Sequence, residues 1–421
     1  MYKISEVKID QFWQRCSVSG KFRDDVNVII GKNGSGKTTF MNILYSILAV
    51  DVEGLYDHEF ETAELTLKFG KKKKTIKARK IDRDDIPYLY VEYQISSKKY
   101  KVRCFGSDDR VPSHYRRKAF EDSIEIRTVL SELVSLASLS VYRIRNDAEF
   151  EVRDRGGKRM IAPVDMRLDE LMRKLTRYQL ELSQRARAIS SRLQKDVLVS
   201  LLYKKERKEK TGFALDFDKQ KEKSGLVSAY QQLGVMDSEV RKRINVHVDS
   251  IDKTATEIKK SFADDSTKEA LDVDFAPLEA FKRARSIVEM SLVAEKQTED
   301  IFSQVNEFIG IAKEFITDKN FRFSDGDLVV ENEGTIPYAK LSSGEKQLLI
   351  LLTEALLQKQ EPYIYLADEP EISLHIAWQK MVIPAIRRLN PNAQIIVATH
   401  SPEIAGNFSN AIIDMGDMMH D

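Results

Sequence analysis

An apolar run, Tyr363-Ile364-Tyr365-Leu366-Ala367, ends in two adjacent carboxylates, Asp368 and Glu369, followed by Pro370. A short apolar run of this kind reads as a buried strand. At its end, Asp368 can hold a magnesium ion while Glu369 orients a water for attack on a γ-phosphate. Far upstream, Gly31-Lys32-Asn33-Gly34-Ser35-Gly36-Lys37-Thr38-Thr39 follows the apolar run Asp25 to Ile30 and precedes a helix-like run, Phe40 to Val50. Strand, glycine-rich loop and helix are the context a phosphate-binding loop needs. The loop's backbone N–H groups, from Asn33 through Thr39, can face phosphates, Lys37 can neutralise β/γ oxygens, and Thr38 can offer its hydroxyl to magnesium. The ligands expected are ATP and Mg2+.

A third run, Leu341-Ser342-Ser343-Gly344-Glu345-Lys346-Gln347, stands at a loop-to-helix junction. Ser343, Gly344 and Glu345 there combine a hydroxyl, a bare backbone and a helix N-terminus, all suited to a phosphate. A last buried strand, Gln394 to Ala398, ends in Thr399-His400-Ser401-Pro402. Read from the residues alone, His400 is a cap on the next helix. His375, in Ser373-Leu374-His375, has no second histidine or cysteine at ligand spacing and is not expected to bind metal.

The whole chain has 421 residues, a net charge of +1 and 32% charged residues, so partners must be judged from local charge. Between residues 66 and 118, 17 Lys/Arg stand against 6 Asp/Glu, a local excess of 17 − 6 = +11. Such a patch attracts DNA or an acidic protein, or simply keeps a sheet edge soluble. Cys16 and Cys104 are too few for a disulfide framework. The N-terminus lacks a signal-peptide core, and no run is long enough to span a membrane, so a soluble cytoplasmic protein is expected.

Period-2 alternation predicts two or three strands within residues 2–30 and an antiparallel sheet over 60–106, with a lysine-tipped hairpin at Gly70 to Lys74. Residues 123–139 read as helix and Leu139 to Arg145 as a buried strand, with Tyr142 and Arg143 packed at the strand end or, as the alternative, on a candidate functional face. From Leu168 the apolar positions Met172, Leu175, Tyr178, Leu182, Ala186, Ile189, Leu193 and Val197 recur three or four apart, the seam of a long helix. The charged, glycine-containing stretch Lys204 to Gly234 reads as a turn or tip, with helix resuming over Val240 to Phe262 and Phe275 to Ile316. A hairpin over Phe321 to Glu331 then returns the chain to the Ser343 helix. Three segments result: residues 1–163, an N-terminal lobe; 164–318, a helical insert; and 319–421, a C-terminal lobe.

These runs resemble the ABC and SMC class of ATPases. The likeness lies in Ile29 to Thr39, Leu341 to Gln347, Asp368-Glu369-Pro370-Glu371-Ile372-Ser373-Leu374-His375 and Ala398 to Ile404, and it covers roughly residues 1–145 and 320–415. It implies an α/β, ABC/SMC-like P-loop NTPase head built from both ends of the chain, with an antiparallel β subdomain and a helical, short coiled-coil insert. Two heads would sandwich ATP, the Ser343 run of one copy meeting nucleotide held by the other. Glu369 would be the catalytic base, His400 the switch histidine, and Ser373 to His375 a loop crossing the dimer interface. A magnesium-sensing glutamine is expected in the N-terminal lobe, with Gln94 the candidate.

More narrowly, the chain is similar to OLD-type ATPases of bacterial anti-phage defence. Those proteins continue into a TOPRIM nuclease, whereas this sequence ends at Asp421, and Asp414 and Asp417 are too few to replace one. The arrangement resembles the AriA family of ATPase subunits in PARIS systems, with Septu ATPases next. That implies a scaffold and sensor with a separately encoded TOPRIM effector nuclease and a phage-encoded trigger protein as partners. The alternative is a DNA-binding SMC/RecF-like repair or chromosome-maintenance ATPase. A transporter ATPase is disfavoured by the insert and by Ser343-Gly344-Glu345, where transporters usually carry glycine-glutamine.

Overall fold

The computed structural model describes residues 1–81, 88–106, 112–138, 150–154, 157–200, 217–263 and 276–420. The chain divides into two units, Met1–Arg177 with Val305–Asp421, and Tyr178–Gln304.

The first unit opens with strands β1 (Lys3–Phe12), β2 (Cys16–Lys21) and β3 (Val26–Ile30), then helices α1 (Lys37–Ala49) and α2 (Val52–Asp57). Strands β4 (Thr62–Phe69), β5 (Lys72–Ile81), β6 (Leu89–Ile95) and β7 (Lys98–Cys104) follow, then α3 (Ser113–Leu133), β8 (Leu136–Ser138), the hairpin β9 (Phe150–Asp154) and β10 (Gly157–Ile161), and the start of α4 (Pro163–Ser200). In the second unit the rest of α4 is joined by α5 (Lys219–Gln232), α6 (Ser238–Ala263) and the first part of α7 (Ala276–Phe315). The end of α7 returns to the first unit. There lie β11 (Asn320–Ser324), β12 (Asp327–Glu331), β13 (Thr335–Ile336), α8 (Ser343–Leu357), β14 (Ile364–Asp368), α9 (Ile376–Leu389), β15 (Gln394–Ala398), α10 (Pro402–Gly406), β16 (Ile412–Asp414), α11 (Met415–Met418) and β17 (Met419–His420).

Two sheets organise the first unit. An antiparallel sheet runs in the order β17-β2-β1-β4-β5-β6-β7, and a parallel sheet in the order β16-β3-β15-β14-β8. Strands of the first alternate: Ala63, Leu65 and Leu67 of β4 are buried while the residues between them are half-buried. Strands β14 and β15 are buried at every position, the pattern of a parallel sheet covered on both faces. Helix α1 explains the cover. Its Phe40, Met41, Ile43, Leu44, Ile47 and Leu48 belong to one cluster with Val7, Leu65 and Tyr93 of the antiparallel sheet and Ile364, Leu366 and Ile396 of the parallel one.

The sheets are also stitched by one amide. Gln394, fully buried at the start of β15, accepts from the backbone N–H of Ile4 at 2.7 Å and donates to the carbonyls of Ile4 at 2.6 Å and Arg23 at 2.7 Å.

In the second unit, Leu226 and Ala229 of α5, Ile244 and Val248 of α6, and Val288 of α7 form a small core. The tip reading of Lys204 to Gly234 is corrected over its described part, which is the helix α5, capped by Asp218 accepting from Gln220 and Lys221. Gly225 misled: a side chain there would meet Val288 Cγ1 at 2.9 Å, so glycine serves close helix packing rather than a turn. The helix reading of residues 123–139 is corrected at its end. The chain turns extended at Val134, and β8 joins the parallel sheet beside β14. The strand expected over Leu139 to Arg145, with Tyr142 and Arg143, lies outside the described residues. Among the described residues no helix is long and apolar enough to cross a membrane.

Candidate functional site

In an open parallel sheet the loops leaving the carboxyl ends of the strands form the crevice where ligands bind. Three such loops emerge side by side here: residues 31–36 from β3, 369–375 from β14, and 399–401 from β15, the strand between the other two. The order of the strands therefore gathers sequence motifs from opposite ends of the chain.

The loop after β3 is held open by its glycines. Gly36 has φ 89°, and a Cβ there would come within 2.9 Å of both Phe12 Cε1 and Trp13 Cη2, so glycine is required twice over. Lys37 is nearly buried, and its Nζ donates to the carbonyls of Gly31 at 2.9 Å and Lys32 at 3.1 Å, curving across the loop. Asn33, Gly34 and Thr38 are exposed and Thr39 is half-buried. Ser35 Oγ is buried without a hydrogen bond from any of the described residues.

Asp368, nearly buried, closes β14. Glu369 takes a left-handed backbone, φ 45°, and its N–H donates to the carbonyl of Ala398 at 2.7 Å, tying the two strand ends together. Its carboxylate Oε1 lies 3.9 Å from Nε2 of His400. The two side chains remain partly exposed, so both can reach a ligand in the crevice.

Glu371 adds a contact that spacing alone does not give. Its Oε1 accepts from Thr399 Oγ1 at 2.6 Å, the His400 N–H at 2.9 Å and the Ser401 N–H at 3.1 Å. Its only sequence signal is a third carboxylate two residues past Glu369, and nothing in the spacing shows where that carboxylate lands. Phe12 and Trp13, packed on Gly36, were likewise not readable as site residues.

Helix α8 presents a capped N-terminus. Ser342 Oγ accepts from the Glu345 N–H at 3.3 Å, and Glu345 Oε2 accepts from the Ser342 N–H at 2.8 Å, a reciprocal capping box. Lys319 Nζ donates to the other oxygen of Glu345 at 2.6 Å. Burial alone would push the Glu345 carboxyl up, but the bonds from Lys319 and Ser342 outweigh it and hold the group below its usual range. Ser343 is exposed and Gly344 buried. A Cβ on Gly344 would meet the carbonyl oxygen of Ser373 at 2.4 Å, and Gln347 donates to the Pro370 carbonyl at 3.0 Å, so α8 is seated directly on the loop after β14. Gln94 sits in β6, where its amide donates to Ser96 O in the hairpin turn, not at the carboxyl edge of the parallel sheet.

The donor set fits a nucleotide with magnesium. No group of three or more metal-binding side chains exists among the described residues. Magnesium usually binds through one or two carboxylates plus phosphate oxygens and water rather than in a protein cage. Thr38, in the first turn of α1, and Asp368, at the carboxyl end of β14, are the residues that would hold it, beside a loop whose lysine and N–H groups suit phosphate.

The model of the AAA ATPase domain matches residues 2–405. The chain belongs to the AAA ATPase domain family. Its first unit is an α/β head in which a glycine-rich, phosphate-binding type of loop joins a parallel strand to α1. Among curated relatives, the Retron Ec83 probable ATPase of Escherichia coli is 34% identical over 90 residues, 18% of this chain and 17% of that protein. The Retron Vc95 probable ATPase of Vibrio cholerae serotype O1 biovar El Tor is 34% identical over 85 residues, 18% and 16% of the two chains. The matches thus span less than a fifth of either relative. Among solved structures, the Smc head domain with an extended coiled coil bound to the C-terminal domain of ScpA, from Pyrococcus furiosus, has TM-score 0.43 and 14% identity, covering 98% of this chain and 93% of that one. The Smc head domain with a coiled coil and joint from Pyrococcus yayanosii has TM-score 0.42 and 15% identity, covering 98% and 95%.

Proposed function

We propose that this AAA-family ATPase is the ATP-driven scaffold and sensor of an anti-phage defence system, holding a separately encoded nuclease and releasing it when a phage protein is sensed. One observation carries the ATPase mechanism: Glu369 and His400 converge 3.9 Å apart at the ends of neighbouring strands, one strand from Lys37. The defence role is supported by the OLD-like motifs, and the ATPase role by the likeness to two retron probable ATPases.

In this reading Lys37 exchanges its bonds to the Gly31 and Lys32 carbonyls for phosphate oxygens, and the N–H groups of residues 33–39 bind the rest of the triphosphate. Bound magnesium, held by Thr38 and Asp368, supplies charge neutralisation for the leaving phosphate. Glu369 accepts the proton of the attacking water, and His400 donates to the γ-phosphate and helps hold that water. Exposed Ser343 at the N-terminus of α8 meets nucleotide bound by a second copy, with Gly344 and Glu345 shaping that end of the helix. Both copies are then needed for two complete sites.

A second reading rests on exposed Lys72, Lys73, Lys98, Lys99 and Lys101 on β5 and β7, which suit a DNA-binding repair or chromosome-maintenance ATPase. One experiment separates the two. Tagged Glu369→Gln protein is purified from cells carrying its native gene neighbourhood, and bound material is identified by mass spectrometry. A stoichiometric protein with acidic metal-ligand motifs is expected. Clean protein carrying nuclease-sensitive DNA would overturn the defence reading in favour of the second.

A further inference from the structure

Glu371 stands at the beginning of the loop that leads from β14 to α9, and all its side-chain bonds in the structure are made to another loop. One oxygen, Oε1, takes donors from three consecutive residues: the Thr399 hydroxyl at 2.6 Å, the His400 N–H at 2.9 Å and the Ser401 N–H at 3.1 Å. The other oxygen, Oε2, is buried and makes no hydrogen bond among the described residues. A carboxylate is the acceptor best suited to several converging donors, because charge-assisted bonds are shorter and stronger than neutral ones.

The same loop is gripped from its far side. Ser401 Oγ donates to Gln379 Oε1 at 2.7 Å, and Gln379 Nε2 donates to the Leu374 carbonyl at 3.1 Å. The Ser401 N–H is also 2.9 Å from Thr399 Oγ1, which closes the turn on itself. Residues 399–401 are thus clamped between the two ends of the segment that follows β14. His400 itself has a half-exposed side chain whose neighbour, Glu369, is 3.9 Å away, too far for a hydrogen bond that would fix it. His400 projects from a backbone held by Glu371 on one side, by Gln379 through Ser401 on the other, and by the Thr399 N–H donating to the Ile29 carbonyl at 3.1 Å.

We infer that Glu371 is a positioning residue for hydrolysis, acting through the backbone of Thr399 to Ser401 to set His400 against Glu369 and the γ-phosphate. The inference rests on the proposed roles of His400 and Glu369. Its chemistry is hydrogen-bond acceptance rather than proton transfer, so an amide oxygen in the same place should retain part of the effect, with bonds weakened by the loss of charge.

The test compares full-length Glu371→Ala, Glu371→Gln and Thr399→Val with the parent, in steady-state ATPase assays and amide hydrogen exchange. Glu371→Ala is expected to lower kcat by about 100-fold, the scale of a misplacement near 1 Å, with little change in KM for ATP and faster exchange at His400 and Ser401. Glu371→Gln should restore part of the protection and of kcat, and Thr399→Val should fall between the parent and Glu371→Ala. Unchanged exchange at His400 and Ser401 in Glu371→Ala, an unchanged kcat, or a Glu371→Gln as impaired as the alanine variant would overturn the inference. His400→Ala isolates the underlying reading: parent-like kcat there would remove His400 from the chemistry, while the exchange result would still decide whether Glu371 holds the loop.

Discussion

The two loop-to-helix junctions that carry phosphate-binding character are built in opposite ways. At the N-terminus of α1, Lys37 is turned onto carbonyls of its own loop, Ser35 Oγ is buried without a partner among the described residues, and Gly36 holds a left-handed backbone under Phe12 and Trp13. At the N-terminus of α8, Ser342 and Glu345 cap one another, Lys319 takes the remaining carboxylate oxygen, and Gly344 is pressed on Ser373. The first junction has side chains whose bonds a triphosphate can replace with stronger ones. The second has satisfied its own groups and leaves mainly Ser343 for a ligand. A helix N-terminus is thus not a binding site by geometry alone, and the occupation of its donors decides how tightly it can bind. The first junction should carry most of the affinity, and the second should govern turnover.

The sharpest way to break that contrast is Lys37→Ala. It should abolish measurable ATP binding in equilibrium dialysis and reduce hydrolysis to background, and retention of tight binding would place the affinity elsewhere. Next, Glu369→Gln should cut kcat by about 10²- to 10⁴-fold, the usual range for general acid–base groups, while ATP binding persists in the same assay.

A smaller effect is expected at the seat of α8. Gly344→Ala puts a methyl within 2.4 Å of the Ser373 carbonyl, so backbone must move. kcat should fall by about 10- to 100-fold from misplacement, with binding to an isolated head unchanged. If binding falls in step with kcat, the division of labour between the junctions is wrong.

Deeper in α8 the contrast can be tested through stability. Glu354 is almost wholly buried and accepts from Arg167 Nη2 at 2.6 Å. Burial pushes its carboxyl up, and the nearby guanidinium only partly offsets that. Arg167→Met should shift the unfolding midpoint by an amount equivalent to about 3–5 kcal/mol at neutral pH, since one buried charge loses its partner. A carboxyl whose folded pKa is raised binds its proton more readily folded than unfolded. Its stabilising contribution is full below the unfolded value of 4.5 and is lost as pH rises through the folded value. The variant's deficit should therefore shrink as pH is lowered through that raised value, and a deficit independent of pH would mean Glu354 is not its source. The mildest change is Ser342→Ala, which removes one cap and should cost about 1 kcal/mol in denaturant unfolding.

The elements that flank the candidate site were legible in the sequence where a motif carries its own strand and helix. The loop before Lys37 lies between an apolar strand and a helix, and Gln394 to Ala398 reads as a buried strand and is one. Contacts between distant segments were not legible. Nothing near Glu371 announces Thr399, and nothing near Glu345 announces Lys319. Glycine was the main source of error: Gly225 reads as a break when examined alone, and only the neighbouring Val288 shows that small size was the requirement. The three-residue β8 was missed for a related reason. Its place in the sheet is set by pairing with β14, far along the chain, rather than by a pattern of its own.

The amide of Gln394 that stitches the two sheets also sets a schedule for synthesis. Its partner Ile4 lies 390 positions earlier in the chain. At about 5–20 residues per second, a ribosome needs roughly 20–80 s to travel that distance. Until then β3 has its loop but neither β15 nor β16 to pair with, and the nascent head exposes an unpaired edge. Nucleotide cannot assist folding early, because the strands that complete its crevice emerge last. Variants that slow translation or shorten the insert should therefore alter the yield of folded protein even where every contact of the finished head is kept.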